Sequence, residues 1–334
     1  MSPRVCLLTL LTALLGCGCV HLKQSARARA PQPPPANILE AVSYQRSAPL
    51  VCTVSNLESN ARFSVQRISM QAAANHVATN RTLLLDYYRP TGTNRTAIIV
   101  VLPIIGGGYP LEKFFCAYFA RQGLAAVLVR RDRLRTPERL ADIDGLLRQA
   151  AVDARQALDW AETRPELDSQ RAGVFGISMG GIRAAFLTPL DPRIRASCIG
   201  LAGGDLPYIV THSRERGITR RRRAYLDKQQ ISLQEFYEGL KPIMLSDPLN
   251  VAPAIDPSKV LLVLATFDRA VPSSKGFELR RAMGKPETIV LPTGHYTALL
   301  FVPYIKAACL RFFHEKLGRD APEPLQARAK ANSR

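Results

Sequence analysis

Short apolar runs alternate with longer amphipathic segments along most of the chain. The segments carry apolar residues at helical spacing, for example over residues 137–163 and 298–317. Two early runs, residues 62–70 and 82–88, predict an antiparallel pair. The later runs are rich in β-branched and aliphatic residues, as in strands buried on both faces: residues 96–102, 124–129, 172–177, 194–201, 260–265 and 288–291. Strands that alternate with helices predict a mostly parallel sheet of about eight strands, flanked by helices.

The N-terminus is typical of an exported protein. Arg4 precedes an apolar run from Val5 to Leu15, which is too short to span a bilayer and suits a signal peptide. The run ends in Leu14-Leu15-Gly16-Cys17, which resembles the bacterial lipobox, whose cysteine is acylated and becomes the first residue after cleavage. The alternative is an ordinary signal peptide cleaved near Gly16 or Gly18, giving a secreted or periplasmic protein. We therefore expect export, with a lipid anchor on Cys17 in the bacterial envelope.

The segments on either side of the central region are poor in core-forming residues. Residues 17–45 include Pro31-Gln32-Pro33-Pro34-Pro35 and predict a semi-rigid tether, and residues 318–334 predict a disordered tail. Cys116, Cys198 and Cys309 lie in apolar segments and are expected to be buried thiols. Pairing of Cys19 with Cys52 is open.

The net charge of +18 raises the question of nucleic acid as a partner. The basic residues are mostly scattered singly, and no aromatic-basic interleaving or zinc-knuckle spacing accompanies them. We therefore expect no nucleic-acid partner, and a basic surface that faces solvent or anionic lipid.

Gly176-Ile177-Ser178-Met179-Gly180 lies where an apolar strand turns directly into a helix of small residues. This pattern is typical of a serine on a strained turn that exposes its hydroxyl above a sheet. Larger side chains two positions away would collide with the neighbouring strand and helix, so glycine fits there. A phosphate-binding loop is the alternative, but the segment has neither the Lys-Ser/Thr nor the G-x-G-x-x-G of such loops. Ser178 is therefore the predicted nucleophile.

A serine hydroxyl needs a base to take its proton, and the base needs an acid to orient it. His295 is the one histidine that follows a late strand, on a loop expected to face the serine. Asp268 follows the strand 260–265 and is the predicted acid, with Asp205 as the alternative acid and an ion pair with Arg269 as the alternative role for Asp268. The other histidines lie in less suitable segments: His21, His76, His212 and His314.

Residues from about 80 to 316 resemble the α/β-hydrolase superfamily. The segments 164–168 and 174–181, and the acid loop 268–272, are similar to its dienelactone-hydrolase and acyl-esterase/peptidase-like branch. The resemblance implies the α/β-hydrolase fold and the chain order Ser178, Asp268, His295 for the triad. Dienelactone hydrolases carry cysteine as the nucleophile, so Ser178 favours ester cleavage instead.

The resemblance departs from the usual pattern at one loop. The superfamily often has His-Gly-x-Gly after the strand that corresponds to residues 96–102, and a backbone N–H there binds the oxyanion. This chain has Pro103-Ile104-Ile105-Gly106-Gly107-Gly108, a glycine-rich turn that keeps a backbone donor feasible. We assign the two oxyanion donors to the N–H groups of Ile105 and Met179.

The predicted organisation is a signal peptide (1–16), a tether (17–45), and an α/β-hydrolase domain (46–317) followed by the tail. The connection between the strands at 194–201 and 260–265 is too long for a simple crossover, so residues from about 205 to 255 predict a small helical cap over the active-site face.

The expected activity is serine-dependent cleavage of carboxylic esters through an acyl-enzyme, with a small-molecule or lipid ester as substrate and with no cofactor or metal. Three alternatives stay open: a peptidase or amidase, an envelope-lipid hydrolase, and a catalytically silent lipoprotein that binds a ligand.

Overall fold

The computed structural model describes residues 18–25, 30–46, 50–75, 81–92, 95–105, 107–131 and 137–318. The predicted signal peptide with Cys17, His76, Gly106 and the tail from residue 319 lie outside the described residues.

Strands of one mixed sheet run through the whole domain. Their bounds are β1 (Val20–Leu22), β2 (Cys52–Ser59), β3 (Phe63–Ala72), β4 (Arg81–Pro90), β5 (Thr96–Leu102), β6 (Ala125–Val129), β7 (Leu167–Ile177), β8 (Ile194–Gly200), β9 (Val260–Ala265) and β10 (Glu287–Leu291). They are arranged in the order β1-β10-β9-β8-β7-β5-β6-β4-β3-β2. Strands β5 to β10 are parallel to one another, whereas β1 to β4 pair antiparallel with their neighbours.

Helices connect the strands and cover the sheet. Their bounds are α1 (Ala36–Ala41), α2 (Pro110–Arg121), α3 (Ala141–Glu162), α4 (Met179–Leu187), α5 (Leu206–His212), α6 (Arg216–Gln229), α7 (Leu233–Leu240), α8 (Pro248–Val251), α9 (Ser273–Ala282) and α10 (Val302–Leu317), which a 3-10 turn, Thr297–Phe301, precedes. Among the described helices, none combines the length and apolar character that a bilayer span requires.

The core lies on both faces of the sheet. On one face, Trp160 of α3 and Phe186 of α4 pack against the strands, together with Ile38 of α1. On the other face, aromatic side chains of α2 and α10 meet, and the ring centroids of Phe119 and Phe313 lie 5.5 Å apart. Because the central strands are covered twice, β5, β6 and β9 are almost entirely apolar, as the sequence predicted, whereas β7 and β8 also carry polar side chains.

The described sheet has ten strands where the sequence predicted about eight. Strand β2 was missed because it is exposed along most of its length and lacks an apolar run. Strand β1 was missed because it falls in the predicted tether, yet its backbone pairs with β10 at the sheet edge. Backbone pairing requires no apolar side chains, so composition alone gave no sign of it.

The tether prediction is corrected for the described part of residues 17–45. Helix α1 places Ile38 in the core at 2% exposure, and Val42 follows it at 0%. Arg155 donates a 2.8 Å hydrogen bond to the carbonyl of Val42, which attaches the segment to α3. The buried side chains of Ile38 and Val42, together with the pairing of β1 with β10, therefore attach to the domain a segment whose composition predicts a spacer.

The cysteines of the described core follow the prediction. Cys116, Cys198 and Cys309 are buried free thiols, and Cys19 and Cys52 are partly buried and also free. Between β8 and β9, helices α5 to α8 occupy the segment predicted as a cap.

Candidate active site

The turn between β7 and α4 holds Ser178 in a strained conformation. Its φ is +56° and its ψ is −122°, and its N–H donates a 2.8 Å hydrogen bond to the carbonyl of Gly200 on β8. A positive φ is uncommon for a residue with a side chain, and such strain is found at functional sites. The serine is therefore fixed at the carboxyl edge of the sheet, at the start of a helix.

The glycines around Ser178 are required by close backbone contacts. A Cβ at Gly176 would lie 2.1 Å from the carbonyl oxygen of Gly180, and a Cβ at Gly180 would lie 2.2 Å from that of Leu102. Both distances are far below van der Waals contact. Glycine is therefore required at both positions, as the G-x-S-x-G pattern predicted.

The structure brings Ser178, His295 and Asp268 together. Nε2 of His295 lies 2.9 Å from Oγ of Ser178, and Nδ1 lies 2.6 Å from Oδ2 of Asp268. A carboxylate accepts hydrogen bonds, so Nδ1 carries the proton and Nε2 is free to accept one from the serine hydroxyl. The arrangement can remove a proton from Ser178 and stabilise the imidazolium that forms.

Asp268 is held by its own loop. It is 6% exposed, and its Oδ1 accepts the N–H groups of Ala270 and Val271, each at 2.9 Å. These bonds orient the carboxylate toward His295.

The alternative acid, Asp205, lies in a different environment. It is the N-cap of α5, and its Oδ2 accepts a 2.6 Å hydrogen bond from Nζ of Lys275. Burial lowers the pKa of Lys275, but hydrogen bonds to Asp205 and Glu278 outweigh it and raise that pKa to about 12. Asp205 is thus paired with a lysine instead of a histidine.

The other described histidines make contacts remote from Ser178. Nε2 of His21 lies 2.7 Å from Glu287 on β10, and Nδ1 of His212 lies 3.0 Å from the carbonyl oxygen of Tyr208. His314 is in α10. Of the described histidines, His295 is the one that contacts the serine.

The two predicted oxyanion donors border the space beside Ser178. Met179 is the first residue of α4, so its N–H has no acceptor within the helix, and the positive end of the helix dipole lies there. Ile105 lies on the loop after β5, and among the described residues no acceptor takes its N–H. Both residues line one cavity together with Ser178.

The loop at Ile105 is held by two charged residues that the sequence analysis missed. The Ile104 N–H donates a 2.7 Å hydrogen bond to Glu112, so this group is occupied. Nε of Arg131 donates to the carbonyl of Ile104 at 3.3 Å, and Nη2 donates to the carbonyl of Ile105. The Ile104 carbonyl and the Ile105 N–H belong to one planar peptide, so fixing the first fixes the direction of the second. The signals in the sequence were a glutamate in the first turn of an amphipathic helix and an arginine just after a buried strand.

Two apolar cavities meet at Ser178. The first, called the α10 cavity, encloses about 770 Å³ including its open mouth and is lined by His295 and by apolar side chains such as Leu111, Val263, Leu299, Val302 and Ile305. The second, called the insert cavity because α5 and α6 of the cap segment border it, encloses about 570 Å³ including its open mouth. It is lined by Met179 and by apolar side chains such as Ile143, Leu147, Leu206, Ile209 and Ile218. Glu215 borders both cavities. Apolar side chains therefore line the space on both sides of Ser178.

Within the described residues, no group of three or more His, Cys, Asp or Glu side chains is placed to hold a metal ion.

Comparisons with known proteins identify the fold. No family model matches the chain, and no curated protein matches it either. Among solved structures, an acetyl xylan esterase from Paenibacillus sp. is similar with a TM-score of 0.63 and 20% identity, over 80% of this chain and 89% of that one. Acetyl xylan esterase 1 from Thermoanaerobacterium sp. gives a TM-score of 0.60 and 17% identity, over 86% and 99%. A glucuronoyl esterase from Teredinibacter turnerae gives 0.55 and 13%, over 84% and 82%. The chain thus has the α/β-hydrolase fold that its sequence predicted.

Proposed function

We propose that this chain is a serine hydrolase that cleaves carboxylic esters with apolar groups on both sides of the ester bond. The observation that carries the proposal is the hydrogen-bonded series from Ser178 through His295 to Asp268, set between two apolar cavities. Similar solved structures described as acetyl xylan and glucuronoyl esterases support ester cleavage over other reactions of the fold.

The reaction proceeds in two steps. Oγ of Ser178 forms a bond to the ester carbonyl carbon while His295 takes the serine proton, and the carbonyl oxygen becomes an oxyanion that accepts the N–H groups of Met179 and Ile105. The intermediate collapses, and the alcohol leaves with the proton from His295. A water molecule then gives a proton to His295 and attacks the acyl-enzyme. The acid is released and Ser178 regains its proton.

The lining of the two cavities supports an assignment of the two halves of the substrate. The leaving oxygen must reach Nε2 of His295, and His295 lines the α10 cavity but not the insert cavity. The alcohol part therefore occupies the α10 cavity, and the acyl part occupies the insert cavity.

Labelling with a fluorophosphonate tests the nucleophile. The parent protein is expected to react, and Ser178→Ala is expected not to, whereas Ser59→Ala, at the exposed end of β2, is expected to leave labelling intact. Absence of Ser178-dependent labelling would indicate a binding protein without activity. A panel of p-nitrophenyl esters and aminoacyl anilides then tests which bond is cleaved. Faster cleavage of the anilides than of the esters would show that the protein is an amidase and not an esterase.

We also propose that the chain is exported and acylated on Cys17. Its support is the short apolar run that ends in a lipobox-like sequence. Fractionation of cells that express the full chain tests this. The parent is expected in the membrane fraction with an acyl-modified N-terminal peptide by mass spectrometry, and Cys17→Ser is expected without the modification. An unmodified N-terminus in the parent would support the soluble alternative.

A further inference from the structure

An exposed apolar surface surrounds the open mouth of the α10 cavity. Leu300 is 67% exposed and Phe267 is 66% exposed, and a group of large exposed apolar side chains is more informative than a single one. Tyr296 and Leu299 are also exposed and line the cavity, so its interior and this surface are continuous. We call this surface the apolar rim; it consists of Phe114, Phe267, Tyr296, Leu299, Leu300 and Tyr304.

The rim is assembled from separate segments that contact one another beside the triad. The N–H of Phe267 donates a 2.9 Å hydrogen bond to the carbonyl of Thr293, which joins the acid loop to the histidine loop. Nζ of Lys306 lies 5.7 Å from the ring centroid of Phe114, which joins α10 to α2. Leu111 of α2 lines the same cavity as Tyr296 and Leu299, so the segments that carry the rim border one opening, and apolar surfaces around such an opening mark sites of interaction.

Basic side chains flank the rim. Burial and the Glu215 carboxylate raise the pKa of the Tyr296 hydroxyl, and the nearby charge of Arg216 opposes them. Arg214 donates its N–H to the carbonyl of Arg269 at 3.0 Å, so both lie at the acid loop, and Lys306 lies on the other side. Glu215 and Asp268 are the acidic residues that act on Tyr296. Glu215 accepts the Ile218 N–H at the start of α6, where the helix dipole offsets its charge, and Asp268 is paired with His295.

An anionic lipid surface fits both properties. Apolar side chains enter the boundary between headgroups and acyl chains, and flanking cations meet the anionic headgroups. A second copy of the chain fits less well, because a symmetric pair would bring the same cations face to face.

We propose that the apolar rim docks on an anionic lipid bilayer and that the α10 cavity takes the apolar alcohol part of an ester from that surface. The docking step stands on the surface alone. Its consequence for substrate choice rests on the proposed esterase function.

Vesicle sedimentation tests the docking step. The full chain carrying Cys17→Ser, which removes the acylation site, is mixed with vesicles of phosphatidylcholine alone or with about one-third phosphatidylglycerol. The protein is expected to bind the anionic vesicles at least about tenfold more tightly than the vesicles of phosphatidylcholine alone. Added salt is expected to weaken binding to the anionic vesicles. The rim variant Leu300→Ser/Tyr304→Ser, which changes two exposed rim residues outside the cavity lining, is expected to lose at least about tenfold of this affinity.

A matched control uses exposed apolar residues at the opposite edge of the sheet. Val51 is 76% exposed and Leu57, on β2, is 49% exposed. Val51→Ser/Leu57→Ser is expected to bind like the parent. Equal binding by the rim variant and the parent, or equal loss in the control, would overturn the proposal. A parent dimer in light scattering that the rim variant converts to a monomer would do so too, because a second copy would then cover the rim.

Activity separates this proposal from the proposed function. The rim variant is expected to hydrolyse a soluble short-chain ester like the parent and to lose its advantage on esters embedded in anionic vesicles. Vesicle binding without Ser178-dependent labelling would refute the esterase and leave the docking surface standing. Ser178-dependent labelling without rim-dependent vesicle binding would refute the docking surface and leave the esterase proposal intact.

Discussion

Nδ1 of His295 lies 2.6 Å from Oδ2 of Asp268, while Oδ1 of the same carboxylate accepts two backbone N–H groups of its own loop. One oxygen fixes the acid to the protein, and the other orients the imidazole. The two functions are therefore separable by substitution.

Asp268→Asn is expected to keep the loop and lose the activity. The amide oxygen can still accept the N–H groups of Ala270 and Val271, but the amide nitrogen would face Nδ1 and favour the wrong tautomer. In serine proteases the equivalent change lowers kcat by about 10⁴-fold, and a similar loss in ester hydrolysis is expected here. The control is Asp205→Asn, which alters the acid paired with Lys275. A larger loss in this control would identify Asp205 as the acid.

The backbone contacts at the nucleophile turn predict a strong effect on stability. Gly176→Ala is expected to lower the free energy of unfolding by at least about 3 kcal/mol, because its Cβ would lie 2.1 Å from a carbonyl oxygen that cannot move freely. A Cβ at Gly107 would meet nothing within 4 Å, so Gly107→Ala should change stability by about 0.5 kcal/mol or less. Urea denaturation measures both, and equal stability of the two variants would contradict the steric account.

The sequence could predict those parts of the molecule that depend on local patterns. Strands β5, β6 and β9 are almost entirely apolar because they are covered twice. Ser178, Asp268 and His295 each follow a strand of a parallel sheet, whose carboxyl ends share an edge. The contacts of Glu112 and Arg131 with the loop at Ile105 depend on how distant segments pack, so local signals could mark the two residues but could not show which loop they contact. The same holds for β1, which pairs through its backbone, and for the division of the site into two cavities.

Arg131 is expected to act as a positioning residue for the oxyanion donor. Arg131→Met would release the peptide that contains the Ile105 N–H, and kcat is expected to fall by about 10- to 100-fold with a smaller change in KM, since a full donor is worth about 10²- to 10³-fold. Arg95 lies just before the first residue of β5, at the end of the strand away from Ile105, and donates a hydrogen bond to the carbonyl of Leu167. Arg95→Met is therefore the control. A change in KM alone would place Arg131 in substrate binding instead.

The assignment of the acyl group to the insert cavity predicts how chain length affects the rate. Each methylene buried from acetyl to hexanoyl is worth at most about 0.8 kcal/mol, or about fourfold in kcat/KM. Leu146→Trp narrows the insert cavity and is expected to remove this gain while activity on acetyl esters persists. Leu111→Trp narrows the α10 cavity and is expected to leave the acyl series unchanged. If Leu111→Trp removed the gain with acyl length and Leu146→Trp did not, the acyl part would occupy the α10 cavity and the alcohol part the insert cavity.

Glu162 connects the N-terminal segment to the domain, because it pairs with Arg46 and accepts a 2.8 Å hydrogen bond from Arg193. Burial raises the pKa of Glu162, but hydrogen bonds and charges from Arg193 and Arg46 outweigh it, and the net pKa lies below the ordinary value of 4.5. A carboxylate whose pKa is lowered in the folded state stabilises that state at every pH above the pKa of the unfolded chain. This contribution is lost as the pH falls through the folded pKa.

Glu162→Gln should therefore unfold at lower urea than the parent at pH ~7. Because the pair is partly exposed, the difference in free energy of unfolding is expected to be about 1 kcal/mol or less. The two urea midpoints should converge as the pH is lowered below the ordinary glutamate value, because protonation of Glu162 in the parent removes the same ion pairs. Glu315, which is exposed and contacts Lys316, provides the control, and Glu315→Gln should track the parent at every pH. A difference between Glu162→Gln and the parent that stays constant on acidification would show that the amide disturbs packing, and the electrostatic account of how residues 36–46 are attached would fail.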